Sequence, residues 1–415
     1  MTNIIQPLLN TRLYHKTIGR LLYHIKLRRY WRTVPQKAET VRAKSEITVL
    51  FVITEFGGWK GLPLYQRMLL HPRFRPLLGA VTNPKYPNAK KELVNFFTSE
   101  NMPFYDMDIT PDCIENTHPD IIIYDSPYTT AYPPAIRYYN NLEYLFCGFD
   151  YCLSITKHVI HMDKDWYDYC WQFYVEHEEV RQCKQKIAGY RAQNIKVTGV
   201  PFQDELMLPK ESFKDPWNDK TGKKRIIYAP HHSFKGSNDK GIEFATFMDY
   251  NQAMLQFARK YSDRITIAFK PHPFLYIKLL DIWGKERTDA YYNEWATMPN
   301  TQYIEGEYVG LFKYSDAIIH DCASFILEYL YMDKPSLYLI AESNNIDDMF
   351  DFVKDCYESY EHATTKEAIE QFIQNVISDI DDKSSQRKDC IAKHLTPYGG
   401  QTASDNIIQE ILNGE

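Results

Sequence analysis

This chain lacks most of the features that announce a function directly. Its eight cysteines (Cys113, Cys147, Cys152, Cys170, Cys183, Cys322, Cys356, Cys390) form no CxxC pair and keep no regular spacing. That excludes a zinc knuckle and a disulfide framework and leaves reduced core thiols. No apolar run reaches the roughly 18 residues a membrane span needs. The apolar stretch at the start is too short and too interrupted for a signal peptide. A Walker loop, a GxGxxG turn, an HExxH pair and an Asp-rich cation cluster are all missing, so the sequence requires neither cofactor nor metal. With 48 Lys and Arg against 54 Asp and Glu, the net charge of −6 lacks the basic excess that nucleic-acid binding needs.

What is present is an ordinary globular composition, 44 % hydrophobic and 25 % charged, over 415 residues, enough for two full cores. The 32 tyrosines suit a polyol or sugar cleft, although a core filler with a polar tip is their commoner role. Residues 1–43 stand apart. No acid precedes Glu39, whereas Arg12, Lys16, Arg20, Lys26, Arg28, Arg29, Arg32 and Lys37 do. On a helical wheel Tyr14, Ile18, Leu21, Leu22 and Ile25 face away from Arg12, Lys16, Arg20 and Lys26. Such a basic amphipathic helix suits an anionic bilayer surface, and a helix packed on its own domain is the other explanation.

From Glu46 onward strands and helices alternate. Ile47–Ile53, Leu77–Val81, Asp120–Tyr124, Tyr144–Phe149 and Phe173–Glu176 read as one set of strands, with a helix from Pro63 to about Leu70. Lys223–Pro230, Ile265–Phe269, Gln302–Glu305, Ala317–His320 and Ser336–Ile340 read as a second set. This βαβα alternation predicts an α/β protein of two Rossmann-like, doubly wound parallel-sheet domains with a cleft between them. The expected divisions are a basic amphipathic extension over 1–43, a first Rossmann-like domain over 44–208, a polar linker over 209–222, a second Rossmann-like domain over 223–400 and a final helix over 401–415.

Ligands of such sheets bind beyond the carboxyl ends of the strands. Three loops of the second domain leave that edge: Pro230-His231-His232-Ser233, Lys270-Pro271-His272-Pro273 and Asp321-Cys322-Ala323-Ser324. Each offers groups that fit a phosphate, namely imidazoles, a lysine, hydroxyls and backbone N–H groups. Prolines on both sides hold His272 in an extended loop. A helix opening at Cys322-Ala323-Ser324 would add a helix N-terminus, a natural anion site. Asp321 would serve there or cap that helix. His71-Pro72 spells the same dipeptide but follows a helix, and reads as a turn.

These residues resemble the CDP-glycerol glycerophosphotransferase family, the teichoic-acid polymerases and primases of bacterial envelopes. The family's Tyr-Ala-Pro matches Tyr228-Ala229-Pro230, its His-Pro matches His272-Pro273, and its Ser-Asp…Thr-Asp-Tyr-Ser-Ser matches Ser315-Asp316 and His320-Asp321-Cys322-Ala323-Ser324. Its Lys-Pro matches Lys334-Pro335. The resemblance covers roughly residues 225–345 well, Gly399–Ser404 modestly and the first domain in outline. It implies a GT-B fold with the nucleotide bound mainly by the second domain. The family's Trp-His-Gly, whose histidine is the acceptor base, has Phe146-Cys147-Gly148 as its closest counterpart here. His158, His161 and Asp125 are then the candidates for that base, with Gly57, Gly58, Trp59, Cys147 and Gly148 on the acceptor side.

The resemblance implies a transferase at the inner face of the cell membrane. It would move glycerol or ribitol phosphate from a CDP-activated donor to a hydroxyl of a polysaccharide or lipid-linked acceptor, releasing CMP. The alternatives are a GT-B glycosyltransferase using a nucleotide sugar for capsular or O-antigen polysaccharide, and a non-catalytic assembly protein.

Overall fold

A computed structural model describes residues 19–55, 57, 59–109, 112–157, 164–187, 192–237, 243–341 and 346–414. The chain forms two compact units. The first comprises Met1–Tyr151, Val159–Pro201 and Gln401–Glu415, and the second Cys152–His158 and Phe202–Gly400.

The first unit is built on seven strands: β1 (Ile47–Ile53), β2 (Phe74–Ala80), β3 (Phe104–Asp106), β4 (Ile121–Tyr124), β5 (Leu145–Phe149), β6 (Gln172–Val175) and β7 (Ile195–Val197). They lie in the order β3-β2-β1-β4-β5-β6-β7, and every neighbouring pair is parallel. β1 is buried at all seven positions because helices cover both faces of a parallel sheet, so its sequence is a continuous apolar run. The strand order reverses between β1 and β4, which makes that point the switch of the sheet.

The 25-residue helix Gly19–Ala43 belongs to this unit. It buries Leu27, Tyr30, Trp31, Val34, Ala38 and Val41. Trp31 Nε1 donates to the Asp168 carbonyl, and the Tyr23 hydroxyl donates to the Asp168 carboxylate, both at 2.8 Å. The part of the 1–43 extension that the structure describes is thus packed on its own unit. The side expected to face a bilayer is not the buried one: Leu21, Leu22 and Ile25 are exposed; Tyr14 and Ile18 lie outside the described residues. The helix Ala403–Asn413 completes the first unit: Arg42 Nε donates to the Ile411 carbonyl at 3.1 Å, and Arg67 pairs with Asp405 at 2.5 Å.

The second unit holds β8 (Lys224–Ala229), β9 (Ile265–Phe269), β10 (Thr301–Tyr303), β11 (Ala317–His320), β12 (Ser336–Leu339) and β13 (Glu361–Ala363). Their order is β10-β9-β8-β11-β12-β13, again parallel throughout. Alternate residues face opposite sides. Ile226, Tyr228, Ile267 and Phe269 pack on one side with Met254 and Trp295, and Ile227, Ala229, Ala268 and Ile318 on the other with Phe312 and Tyr329. Residues 209–222 are part of this unit and not a free linker, because Trp217 is buried in the second cluster and Thr266 Oγ1 donates to Asp219 at 2.5 Å. Among the described residues no helix is long and apolar enough to cross a membrane.

Candidate active site

The switch of the second sheet lies between β8 and β11. The loops leaving β8, β9 and β11 therefore meet at one edge. The His272 N–H donates to the Pro230 carbonyl at 3.0 Å, tying the first two together. The imidazoles of His231, His232 and His272 cluster there, with ring centres 4.3 to 4.6 Å apart. Their nitrogens come within 4.8 Å of one another, close enough for a divalent ion.

The hydrogen bonds oppose a cation and favour an anion. The backbone N–H of Phe274 donates to His272 Nδ1 at 3.1 Å, and that of Ser233 donates to His231 Nδ1 at 3.3 Å. A ring nitrogen that accepts carries no proton, which leaves His272 with its proton on Nε2 when neutral; His231 Nδ1 also lies 2.7 Å from the Ser233 hydroxyl, which donates to it or accepts from it according to the tautomer. A metal bound through Nε2 would instead require Nδ1–H to donate outward. His231 titrates well below the ordinary histidine range, first because burial disfavours its charge and then through repulsion by His272 and His232. At neutral pH it presents a neutral N–H donor.

His272 is also the N-cap of the 11-residue helix Pro273–Trp283, with exposed Pro273 as its first residue. The positive end of a full helix thus lies beside the imidazoles. By contrast, the helix expected at Cys322-Ala323-Ser324 is a single turn, Phe325–Glu328, running into the 3₁₀ turn Tyr329–Met332, and Ser324 caps it without a side-chain bond. A helix thus opens at Ser324 as expected but is short, and the full-length helix that starts at this edge is the one after β9.

Several expected ligands prove to be supports. Ser233 is fully buried, and its hydroxyl lies 2.7 Å from His231 Nδ1. Asp321 is fully buried and accepts from the N–H groups of His231 and Thr246, both at 2.6 Å, and from Thr246 Oγ1 at 2.8 Å. It neither caps a helix nor suits a phosphate ligand; it fixes the β8 loop against β11. Burial raises its carboxyl to about 6 despite those bonds. His320 is buried with Nδ1 3.0 Å from the Cys322 carbonyl, and burial holds it near 3, so it stays neutral. The Cys322 thiol, 3.6 Å from Ser324 Oγ, is pushed up to about 12 by burial. Lys270 is buried with its ammonium 5.7 Å from the Tyr308 ring centre. Ala323 and Ser324 remain half-buried at the edge.

Sequence reasoning missed Thr246, Tyr308 and Glu328. Tyr308 donates to the buried Glu328 carboxylate at 2.7 Å. The signal was available for Glu328, which follows Ser324 by one helical turn and so shares its face.

In the first unit, Asp125 plays the part that Asp321 plays in the second. It follows β4 and accepts from the Thr54 N–H at 2.7 Å, Thr54 Oγ1 at 3.0 Å and the Tyr132 hydroxyl at 2.5 Å. So occupied and buried, it is a clamp across the switch rather than a base. Cys147 and Gly148 lie within fully buried β5 and do not line an acceptor surface. The Cys147 thiol is pushed up to about 12 by burial, and a Cβ on Gly148 would meet the Trp166 ring at 2.7 Å. Trp59 is buried edge-on to Tyr65 and Phe97, while Gly57 is exposed. Gly58, His158 and His161 lie outside the described residues. Glu55, which follows Thr54, is half-buried, and its carboxylate has no hydrogen-bond or ion-pair partner among the described residues. Burial, then Asp125 and Glu92, hold it above the usual carboxylate range.

Two parallel doubly wound sheets, with histidine and helix N–H donors at the carboxyl edge of the second, define a protein of GT-B type. Within that class the chain belongs to the CDP-glycerol:poly(glycerophosphate) glycerophosphotransferase family, whose model matches residues 153–413. Solved structures share the fold at low identity. A UDP-N-acetylglucosamine 2-epimerase is 14 % identical, with 89 % of this chain and 96 % of that one covered at a TM-score of 0.59. The UDP-GlcNAc 2-epimerase of Neisseria meningitidis is also 14 % identical, over 88 % and 100 %, at 0.57. A variant of the wall teichoic acid polymerase TagF soaked with CDPG is 11 % identical, over 94 % and 98 %, at 0.56. No curated protein matches the chain in sequence.

Proposed function

We propose that this family member transfers a polyol phosphate, glycerol or ribitol phosphate, from its CDP-activated form to a hydroxyl of a teichoic-acid-like acceptor. The acceptor oxygen attacks the β-phosphorus and forms the new P–O bond. The bond from that phosphorus to the bridging oxygen breaks, CMP leaves with the electron pair, and the hydroxyl proton passes to a base. The observation that carries this reading is the pairing of the His231 and His272 rings, whose Nδ1 atoms face the backbone N–H groups of Ser233 and Phe274, with the start of the helix Pro273–Trp283. Such donors are placed to stabilise charge developing on a diphosphate. Phosphoryl transfer asks mainly for this kind of positioning.

The first turns of the helix Gly19–Ala43 support a further part of the reading, contact with an anionic membrane surface. Leu21, Leu22 and Ile25 are exposed at 59 %, 52 % and 40 %, close to Arg28, Arg29 and Arg32.

Mixing the protein with CDP-glycerol, CDP-ribitol and nucleotide sugars, each with a hydroxyl acceptor, tests the function. Release of CMP from a CDP-polyol is the expected result. Turnover of a nucleotide sugar alone would assign a glycosyltransferase, and turnover of none would leave an assembly protein.

A further inference from the structure

The opposite, amino-terminal edge of the second sheet carries a concentration of positive charge that the transfer chemistry does not use. A cavity of about 740 Å³ opens there, among the segments that lead into β8, β11 and β12. Its cations fall into two groups. Lys220, Lys223 and Arg225 are matched by Asp215 and Asp219 at 2.6 to 3.7 Å. Lys210, Lys313 and Lys334 have no carboxylate partner among the described residues.

These three are held in place without being neutralised. Lys334 Nζ donates to the carbonyls of Phe312, Lys313 and Ser315 at 3.1, 2.8 and 2.6 Å. Lys313 Nζ donates to the Leu206 carbonyl at 2.6 Å. The Lys210 ammonium stands 4.4 Å over the Tyr314 ring. The one acid in the lining, Asp316, already accepts the Arg225 N–H at 2.7 Å. Burial lowers Lys334 to about 8; Asp316 works against it, and Lys210 and Lys313 lower it further. Three crowded cations in a preformed hollow are stabilised by an anion that fills it.

The size of the cavity argues against a lone phosphate, since hollows of several hundred Å³ take extended ligands. Two tyrosines line the cavity, Tyr314 with the Lys210 ammonium over its ring and Tyr331 with its hydroxyl accepting from Gln203 Nε2 at 2.7 Å. A chain with one negative charge per unit and short polyol spacers brings several anions to these clustered lysines and sets its uncharged spacers against Met207, Leu208 and Met332.

We propose that this cavity is a second, non-catalytic binding site for phosphodiester-linked polyol chains, holding the polymer away from the edge where the transfer takes place. The proposal rests on the reading of the protein as a polyol-phosphate transferase. Retention of the chain at such a site would favour successive additions over release.

The test is binding of a fluorescent glycerol-phosphate oligomer to the full-length protein, with CDP binding measured alongside. The variants are Lys210→Ala/Lys313→Ala, the milder Lys210→Gln in case the double variant does not fold, and His272→Ala. Oligomer affinity should fall about tenfold or more in the double variant and less in Lys210→Gln, as lost charge-assisted bonds require. CDP affinity should hold in both lysine variants, and His272→Ala should show the reverse pattern. Unchanged oligomer binding in the folded lysine variants overturns the site. Lysine-dependent binding to phosphatidylglycerol vesicles but not to the oligomer overturns the polymer as its ligand. Lysine-dependent oligomer binding without CMP release from any CDP-polyol would instead fail the transferase reading and keep the site.

Discussion

The carboxylate of Asp321 accepts the backbone N–H of His231 at 2.6 Å, so a residue that need never touch a ligand sets where an imidazole donor stands. Asp321→Asn turns one accepting oxygen into a donor facing N–H groups. It should raise the KM for the CDP donor several-fold while leaving bound donor reactive. The same variant has a signature in stability. The carboxyl rises from about 3.9 in the unfolded chain to about 6 in the folded one, so the folded state prefers it protonated. Wild-type stability should therefore fall by roughly 3 kcal/mol as pH climbs from about 4 to 6 and then level off. Thermal unfolding against pH checks this, and the Asn variant should lack that slope.

His272 offers a test of the tautomer. Gln places an N–H donor near the position of Nε2, whereas Asn places one near Nδ1. His272→Ala and His272→Asn should lower kcat for CMP release by about 10² or more, as for a lost transition-state donor. His272→Gln should keep a larger share. Equal loss in Gln and Ala, together with sensitivity to a chelator, would instead mean that the three imidazoles hold a metal.

The membrane contact is tested by Leu21→Ser/Leu22→Ser/Ile25→Ser. Those side chains are exposed, so the fold and the turnover of a soluble acceptor should persist. Cosedimentation with phosphatidylglycerol vesicles should weaken markedly and become more salt-sensitive. Deleting all of residues 1–43 is the wrong experiment, because it would strip Leu27, Trp31 and Val34 from the core.

How far these features were legible depended on whether their cause was local. β1 stood out because burial on both faces makes its sequence continuously apolar, and β8 and β11 through their short buried runs Ile226–Ala229 and Ala317–Ile319. Edge strands β3, β7 and β13 have three residues each and are only partly buried, so no periodicity marked them. The three loops of the site were legible because proline and histidine clusters interrupt apolar strands. Their division of labour was not: Ser233 and Asp321 look like ligands until their long-range partners are seen. Cys147 and Gly148 matched a motif by position, yet their environment is set by Tyr174 and Trp166 on other segments.

The helix Ala403–Asn413 packs on the first unit, to which Asn406 is bonded through the Thr198 carbonyl at 3.1 Å. That places a constraint on biosynthesis. At roughly 5–20 residues per second, a ribosome delivers this helix on the order of 10–40 s after it has finished the strands that the helix covers. During that interval the second unit, contiguous from Phe202 to Gly400 apart from one short return, emerges whole. The unit that begins first is therefore finished last, and until then the surface reserved for Ile407, Ile408 and Ile411 stands open to water and to chaperones.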